Sequence, residues 1–445
     1  MLGAERLHAI ANTVIEASPA DQTEVMLSTN ESALTRFANS TIHQNVFEAT
    51  VDVRVRAVVG NRVGVATTNQ LGERSLVEAA QRAFQSAKLA PENPEFKGLP
   101  DAQPIPKVNA HSANTAAYTP EQRARDVKGI CDRSLGNGVN AFGAWSTSAY
   151  ELAVANSRGI WAYTPRTVAS LKIVVMASNG TGYAERTGVD ASRIDVDGAG
   201  EEAVTKALKA RDPIAIEPGA YTVVLEPYAV GTMIDYLAYM GLDAMSVQEG
   251  RSFMAGHFGE RLAGENITIW DDGLDPNGIP TPFDFEGVPK QKVVFLDRGI
   301  AKGVVYDSFT AGREGKQSTG HALPAGSGYG PMPLNLFLAP GDADEKGLLA
   351  GIGRGLWITR FHYVNVVHPT ETILTGMTRD GTFLIENGHI TRPVHNLRFT
   401  QSVLEALSSV EAIGRERRML QDEVGGTCVP ALRIAGFNFT SVTQF

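Results

Sequence analysis

Cysteine is scarce: the 445 residues contain two, Cys131 and Cys428, too few for the disulfide framework that a secreted chain of this size would use. A reducing compartment, the cytoplasm, fits that scarcity. No Lys/Arg block is present that could track a phosphate backbone, and 40 basic residues against 49 acidic ones leave a formal charge of -9. Nucleic acid is therefore not an expected direct ligand. Long apolar runs are missing too. Met1 to Ser18 reads as an amphipathic helix with Glu5 inside it, without a basic stretch ahead of an apolar core, and no later run reaches the length that spans a bilayer. The expectation is a chain neither exported nor held in a membrane. Also absent are a P-loop string, a G-x-G-x-x-G opening a helix after a strand, and a G-x-S-x-G elbow, which removes the common nucleotide-binding and serine-hydrolase templates.

What the sequence does contain is 43% hydrophobic and 20% charged residues, ample for a packed interior, over a length that exceeds what a single core fills. After the opening helix, Glu24 to Ser28 and Val46 to Val65 alternate with a short period, and Gly60-Asn61 punctuates the second run as a tight turn would. Leu76, Ala79, Ala80, Ala83 and Phe84 then share one helix face. Five prolines between Pro91 and Pro106 mark a linker. A second unit opens at Thr119-Pro120-Glu121-Gln122, where Thr119 can cap a helix, Pro120 suits its first turn and Gln122 can complete a capping box. Strands from Phe142 to Glu185 and a helix from Ala199 to Ala210 repeat the plan of the first unit.

Asp212-Pro213 to Pro218-Gly219 reads as the next break. Pro227 can start a helix running through Tyr239. Beyond it, strands are expected around Lys292–Leu296, Gly303–Tyr306, Leu334–Leu338, Leu356–Val367 and Ala431–Phe439. Arg379-Asp380-Gly381 should be the turn of a hairpin joining Ile373–Thr378 to Phe383–Ile385. The reading is an α+β protein: a sheet-plus-helix region over 1–90, a second over 110–211 and a large β-rich domain over 218–445.

Polar residues are dense in Thr35-Arg36-Phe37-Ala38-Asn39-Ser40-Thr41-Ile42-His43-Gln44-Asn45. Arg36, Asn39, His43 and Asn45 can hold an extended peptide or lock a turn, and both readings stand at this point. The string resembles the N-terminal signature of the TldD/PmbA family. Leu374 to Gly388, with its Thr378-Arg379-Asp380-Gly381 and Glu386-Asn387-Gly388, and Arg392-Pro393-Val394-His395-Asn396-Leu397-Arg398-Phe399 resemble that family's C-terminal segments. The similarity runs from about residue 22 to nearly the end of the chain. It implies a metallopeptidase relative that dimerises, with itself or with a catalytic TldD-like subunit, around an unfolded or extended peptide.

Catalytic members carry an HE-x-x-x-H string whose histidines hold a metal ion, zinc, and whose glutamate activates the bound water. Aligned without gaps from Pro227, those positions hold Asp235, Tyr236 and Met240. A thioether is a poor zinc ligand, and a phenol of ordinary pKa is no base at neutral pH. Met233, Leu237 and Met240 instead share a face as in a packed helix. No cofactor is expected, and zinc belongs to the catalytic relatives. Cys428 is a candidate ligand because a C-terminal cysteine supplies the third ligand in catalytic members, and as a lone cysteine it also fits a buried hydrophobe. The resemblance implies a non-catalytic PmbA/TldE-like subunit. Two alternatives remain: a divergent metallopeptidase using Asp235, Cys428 and a histidine from elsewhere, and a non-enzymatic binding protein, since the family is linked in name to modulation of DNA gyrase.

Overall fold

Two sheets organise the chain, whose computed structural model describes residues 1–421 and 425–443. Strands β1 (Gln22–Ala38), β2 (Thr41–Val59), β3 (Arg62–Thr68), β4 (Asn140–Asn156), β5 (Trp161–Met176) and β6 (Thr181–Gly188) form one antiparallel sheet in the order β3-β2-β1-β4-β5-β6. The two N-terminal regions thus share a single sheet, joined where β1 and β4 pair at its centre.

One face of this sheet is apolar because strand residues alternate sides. Val25, Leu27, Val53 and Val55 meet Leu7, Leu76 and Ala80 of α1 (Ala4–Ala17) and α2 (Glu73–Leu89). After the short α3 (Ala113–Ala116), Trp145, Leu171 and Ile173 meet Val127, Ile130 and Ala203 of α4 (Pro120–Gly136) and α5 (Val196–Lys209). Each half is therefore helix, three strands, helix, and the halves repeat about the β1–β4 seam. Gly64 in β3 and Gly182 in β6 occupy matching places. A Cβ on Gly64 would stand 2.1 Å from the Ala87 nitrogen, and one on Gly182 2.2 Å from the Ala203 oxygen, so the closing helix of each half rests directly on bare backbone. The Thr119 and Gln122 capping box is present and starts α4, with Pro120 in its first turn.

The remaining strands are β7 (Gly219–Leu225), β8 (Ile269–Asp271), β9 (Val293–Asp297), β10 (Ile300–Ala301), β11 (Asn335–Leu338), β12 (Arg354–His368), β13 (Ile373–Glu386), β14 (His389–Pro393), β15 (Leu397–Ser402), β16 (Val410–Gln421) and β17 (Gly426–Val442). They form an eleven-stranded sheet. Because β7 pairs with both β12 and β17, strands β17, β15, β13, β12 and β7 close into a ring. Helix α6 (Pro227–Gly241), begun by Pro227, buries Met233, Ile234 and Leu237 in the largest core together with Leu225, Ile358, Leu432 and Ile434 of that ring. The chain is α+β, as expected from its sequence.

Two local expectations fail. Arg379-Asp380-Gly381 does not turn a hairpin: Ile373 to Glu386 is one strand, and Asp380 (φ 54°) and Gly381 (φ 122°) form a bulge opposite Thr359 on β12. The same left-handed dihedrals that suit a turn here bend a continuous strand. Nor is Gly303–Tyr306 a strand, since its only ladder contact is an isolated bridge of Val305 with Asp243. No helix among the described residues is long and apolar enough to cross a membrane.

Candidate functional site

Helix α6 lies against β12 and β17 and presents Asp235 and Tyr236 to the boundary between two cavities. The smaller, about 340 Å³, is polar and is walled by Lys172, Glu185, Arg360, His362 and Tyr363. The larger is a groove of about 930 Å³ walled mainly by apolar groups, including Ala238, Tyr239, Leu323, Tyr329, Met332 and Val366. Its size falls within the roughly 300–1,000 Å³ typical of ligand sites.

At the positions of the metal motif, each side chain has another role. Asp235 accepts a hydrogen bond from the Thr427 hydroxyl, and the Tyr236 hydroxyl donates to the Val364 carbonyl at 2.6 Å. Met240 is 3% exposed, within the core. Cys428 follows Thr427 on β17, and strand alternation turns its thiol to the opposite face, on the side of Arg417 and Asp275, where burial raises its pKa. Asp235 and Cys428 therefore do not converge, and among the described residues no group of three or more His, Cys, Asp or Glu could hold a metal ion. The described residues therefore do not fit a zinc ion at these positions.

The polar string near the N-terminus is largely accounted for by its hairpin. Asn39 (φ 50°) and Ser40 (φ 56°) are the two central residues of the β1–β2 turn, with Ala38 paired to Thr41, the mirror-image turn for which Asn is well suited. Ser40 pins this tip to β4 through Ala141, both donating its N–H to that carbonyl and accepting the Ala141 N–H, each at 2.9 Å. Thr35 donates to Asn45 at 2.5 Å and accepts from the buried Arg123 guanidinium. Arg36 and His43 remain exposed. Register sets Arg36 in line with Ala144, Lys172 and Glu185, on the sheet face away from the helices and about 10 Å from Lys172 by strand spacing. Arg36 thus approaches the polar cavity, while Asn39 is committed to the turn by its backbone.

Two charged clusters that sequence reasoning missed hold the site in place. Glu202 on α5 receives Lys206, Arg186 and Arg418, at 2.7, 2.8 and 3.1 Å, and Tyr228 at the start of α6 donates to it at 3.1 Å. Lys206 also reaches Glu226, which accepts from Trp357 and Thr359 of β12. Burial works to raise the Glu202 pKa, but Lys206, Arg418 and Arg186 overcome it and bring it down to about 2. On the far side, Arg56 pairs with both Glu24 and Glu286, linking β1 and β2 to the β-rich C-terminal domain. Burial pushes Glu24 up to about 7, against the pull of Arg56. These partners come from segments up to 230 residues apart, so no local spacing could have revealed them.

Three exposed tyrosines stand around the two cavities: Tyr239 (58%), Tyr329 (65%) and Tyr363 (70%). Tyr363 is held at φ 48°, a conformation that strains a bulky residue and that tends to cluster at functional surfaces.

Three family models match the chain in sequence: PmbA/TldA metallopeptidase domain 1 over residues 23–87, the central domain over 106–211 and the C-terminal domain over 218–441. A metalloprotease TldD homolog of Buchnera aphidicola (subsp. Acyrthosiphon pisum) is 26% identical over 412 residues, 88% of this chain and 84% of its own. An uncharacterized protein from Methanocaldococcus jannaschii is 29% identical over 283 residues, 63% of this chain. The match spans 65% of that protein's length, and 47% of the length of a Methanothermobacter thermautotrophicus metalloprotease that is 28% identical over 224 residues, 49% of this chain. Among solved structures, TldE from Thermococcus kodakarensis superposes with a TM-score of 0.88 at 20% identity, covering 98% of this chain and 100% of that one. A proposed modulator of a DNA gyrase from Thermotoga maritima gives 0.85 at 18% identity, covering 98% and 100%. At such identities the likeness establishes the fold.

Proposed function

Because the chain belongs to the PmbA/TldD metallopeptidase family, we propose that it is a non-catalytic, TldE-like subunit that helps a metal-bearing TldD-like partner enclose an extended peptide. The observation that carries this reading is the state of α6. Where the family's zinc ligands and base would stand, Asp235 takes the Thr427 hydroxyl, Tyr236 reaches the Val364 carbonyl and Met240 is buried. Such a subunit needs no catalytic side chain. An extended peptide can be held through its main chain and by side-chain pockets, and the groove beside α6 offers both apolar wall and exposed tyrosines. Tyrosines of this kind supply interface energy at small entropic cost. Arg36 and His43, with the turn residue Asn39, are peptide-contact candidates on the β1–β2 hairpin, outside the lining of the polar cavity.

Co-expression with a TldD-like relative from the same cell tests the proposal. The expected result is a stable complex that cleaves an unfolded peptide, while the isolated chain carries no stoichiometric zinc and Cys428→Ala changes neither property. Stoichiometric zinc in the isolated chain, lost on substitution of Asp235 or Cys428, would overturn the reading, as would a self-dimer that excludes the relative. In the complex, Tyr239→Ala combined with Tyr329→Ala should weaken binding of an unfolded peptide by at least roughly tenfold, as loss of hot-spot contacts does, measured by fluorescence anisotropy.

A further inference from the structure

A third cavity, about 190 Å³, lies where the helix-free face of the six-stranded sheet meets the β-rich C-terminal domain, and the site described above does not use it. Arg166 of β5 lines it and, among the described residues, has no carboxylate within ion-pair distance. Its contacts are a 3.5 Å hydrogen bond to the Thr281 hydroxyl and a stack 5.1 Å from the centre of the Tyr150 ring. Lys290 also lines it, is 4% exposed, and its ammonium finds no hydrogen-bond partner. Asn335, another wall residue, donates its amide to the Ile279 carbonyl at 2.9 Å and leaves Oδ1 unpartnered.

A buried ammonium without a partner costs several kcal/mol unless a ligand supplies acceptors. Among the described residues the carboxylate lining the cavity is Asp284, which already accepts the backbone N–H groups of Glu286, Val288 and Ala322 at 2.9, 2.9 and 2.8 Å. Among the described residues neither Arg166 nor Lys290 is hydrogen-bonded to a carboxylate, although Asp271 and Asp284 act on Lys290 through space. A guanidinium stacked on an aromatic ring, with a single long hydrogen bond to Thr281 among the described residues, is suited to a carboxylate in particular.

We propose that this cavity binds a carboxylate between Arg166 and Lys290, and, on the reading given under Proposed function, that this is the C-terminal carboxylate of the enclosed peptide. The volumes favour a chain end over a whole ligand. About 190 Å³ is below the range of ordinary ligand sites, yet the cavity shares Leu334, Gly425 and Gly426 with the 930 Å³ groove beside α6. The body of a peptide lies in the groove and its last residue turns inward past Leu334.

The test uses the full-length chain, alone and in complex with its TldD-like partner. Binding of a fluorescent unfolded peptide is measured as the free acid and as the C-terminal amide. In parallel, an N-acetyl amino acid and its amide are compared by thermal shift. The free-acid peptide is expected to bind roughly tenfold or more tightly than the amide, the value of a charge-assisted hydrogen bond. Arg166→Gln and Lys290→Met should each collapse that difference, while Arg166→Lys retains part of it. Circular dichroism and the unfolding midpoint identify any variant that fails to fold, in which case the wild-type acid/amide ratio decides. Equal binding of acid and amide would overturn the inference and leave the peptide-enclosing reading intact. If no peptide binds but the N-acetyl amino acid raises the midpoint in an Arg166-dependent way, the site takes a small free carboxylate and the peptide reading fails. Neither probe binding sinks the site.

Discussion

Glu202 and Glu24 titrate in opposite senses, although both belong to ion-pair clusters that join the N-terminal half to the β-rich C-terminal domain. The Glu202 pKa is depressed from 4.5 to about 2. Its stabilisation is therefore present above pH 4.5 and is lost as pH falls through 2. By linkage it amounts to on the order of 3 kcal/mol, and Glu202→Gln should flatten that acid limb of the stability curve, read by urea unfolding at several pH values. Glu24 is raised from 4.5 to about 7. Its contribution is present below pH 4.5 and is lost as pH rises through 7, so Glu24→Gln should lessen the decline in stability across that window. Neither residue could be singled out from the sequence. Glu202 is one of several acids on α5, and its cations Arg186 and Arg418 lie on strands that only the fold brings together. Arg166 and Lys290 were equally hidden, because the lack of a hydrogen-bonded carboxylate, seen among the described residues, leaves no mark in the sequence.

At the scale of elements, signals that act within a few residues could be read and those that depend on pairing could not. The Gly60-Asn61 turn, the Thr119 capping box and the start of α6 at Pro227 involve neighbours in sequence, and the structure contains all three. Asp380-Gly381 misled because left-handed dihedrals serve a turn and a bulge alike, and only the uninterrupted partner strand β12 distinguishes them. The bulge has a purpose: it directs the Asp380 carboxylate to Arg360, 2.6 Å away in the wall of the polar cavity. The two glycines under the closing helices give a matched prediction. Gly64→Ala and Gly182→Ala should each cost about 1–3 kcal/mol or more, since a Cβ within 2.2 Å of backbone forces the helix away. Comparison of urea midpoints checks it, and a neutral substitution at either position would refute the close approach.

At the scale of the whole molecule, the repeat of a sheet-plus-helix plan was visible in the sequence, but the three strands of each copy and the merging of both copies into one sheet were not. Edge pairing leaves no local mark, and β1 and β4 are separated by more than a hundred residues. Antiparallel pairing of β1 with β4 runs from Glu24–Asn156 to Phe37–Gly143, a seam as long as the hairpins inside each half. The proline-rich stretch between Pro91 and Asn109 spans the two halves as a covalent tether, yet the seam, not the tether, holds them. A chain nicked there by a protease should elute as one species and separate into two fragments only under denaturant, whereas either fragment made alone would bare a long unpaired strand edge and precipitate.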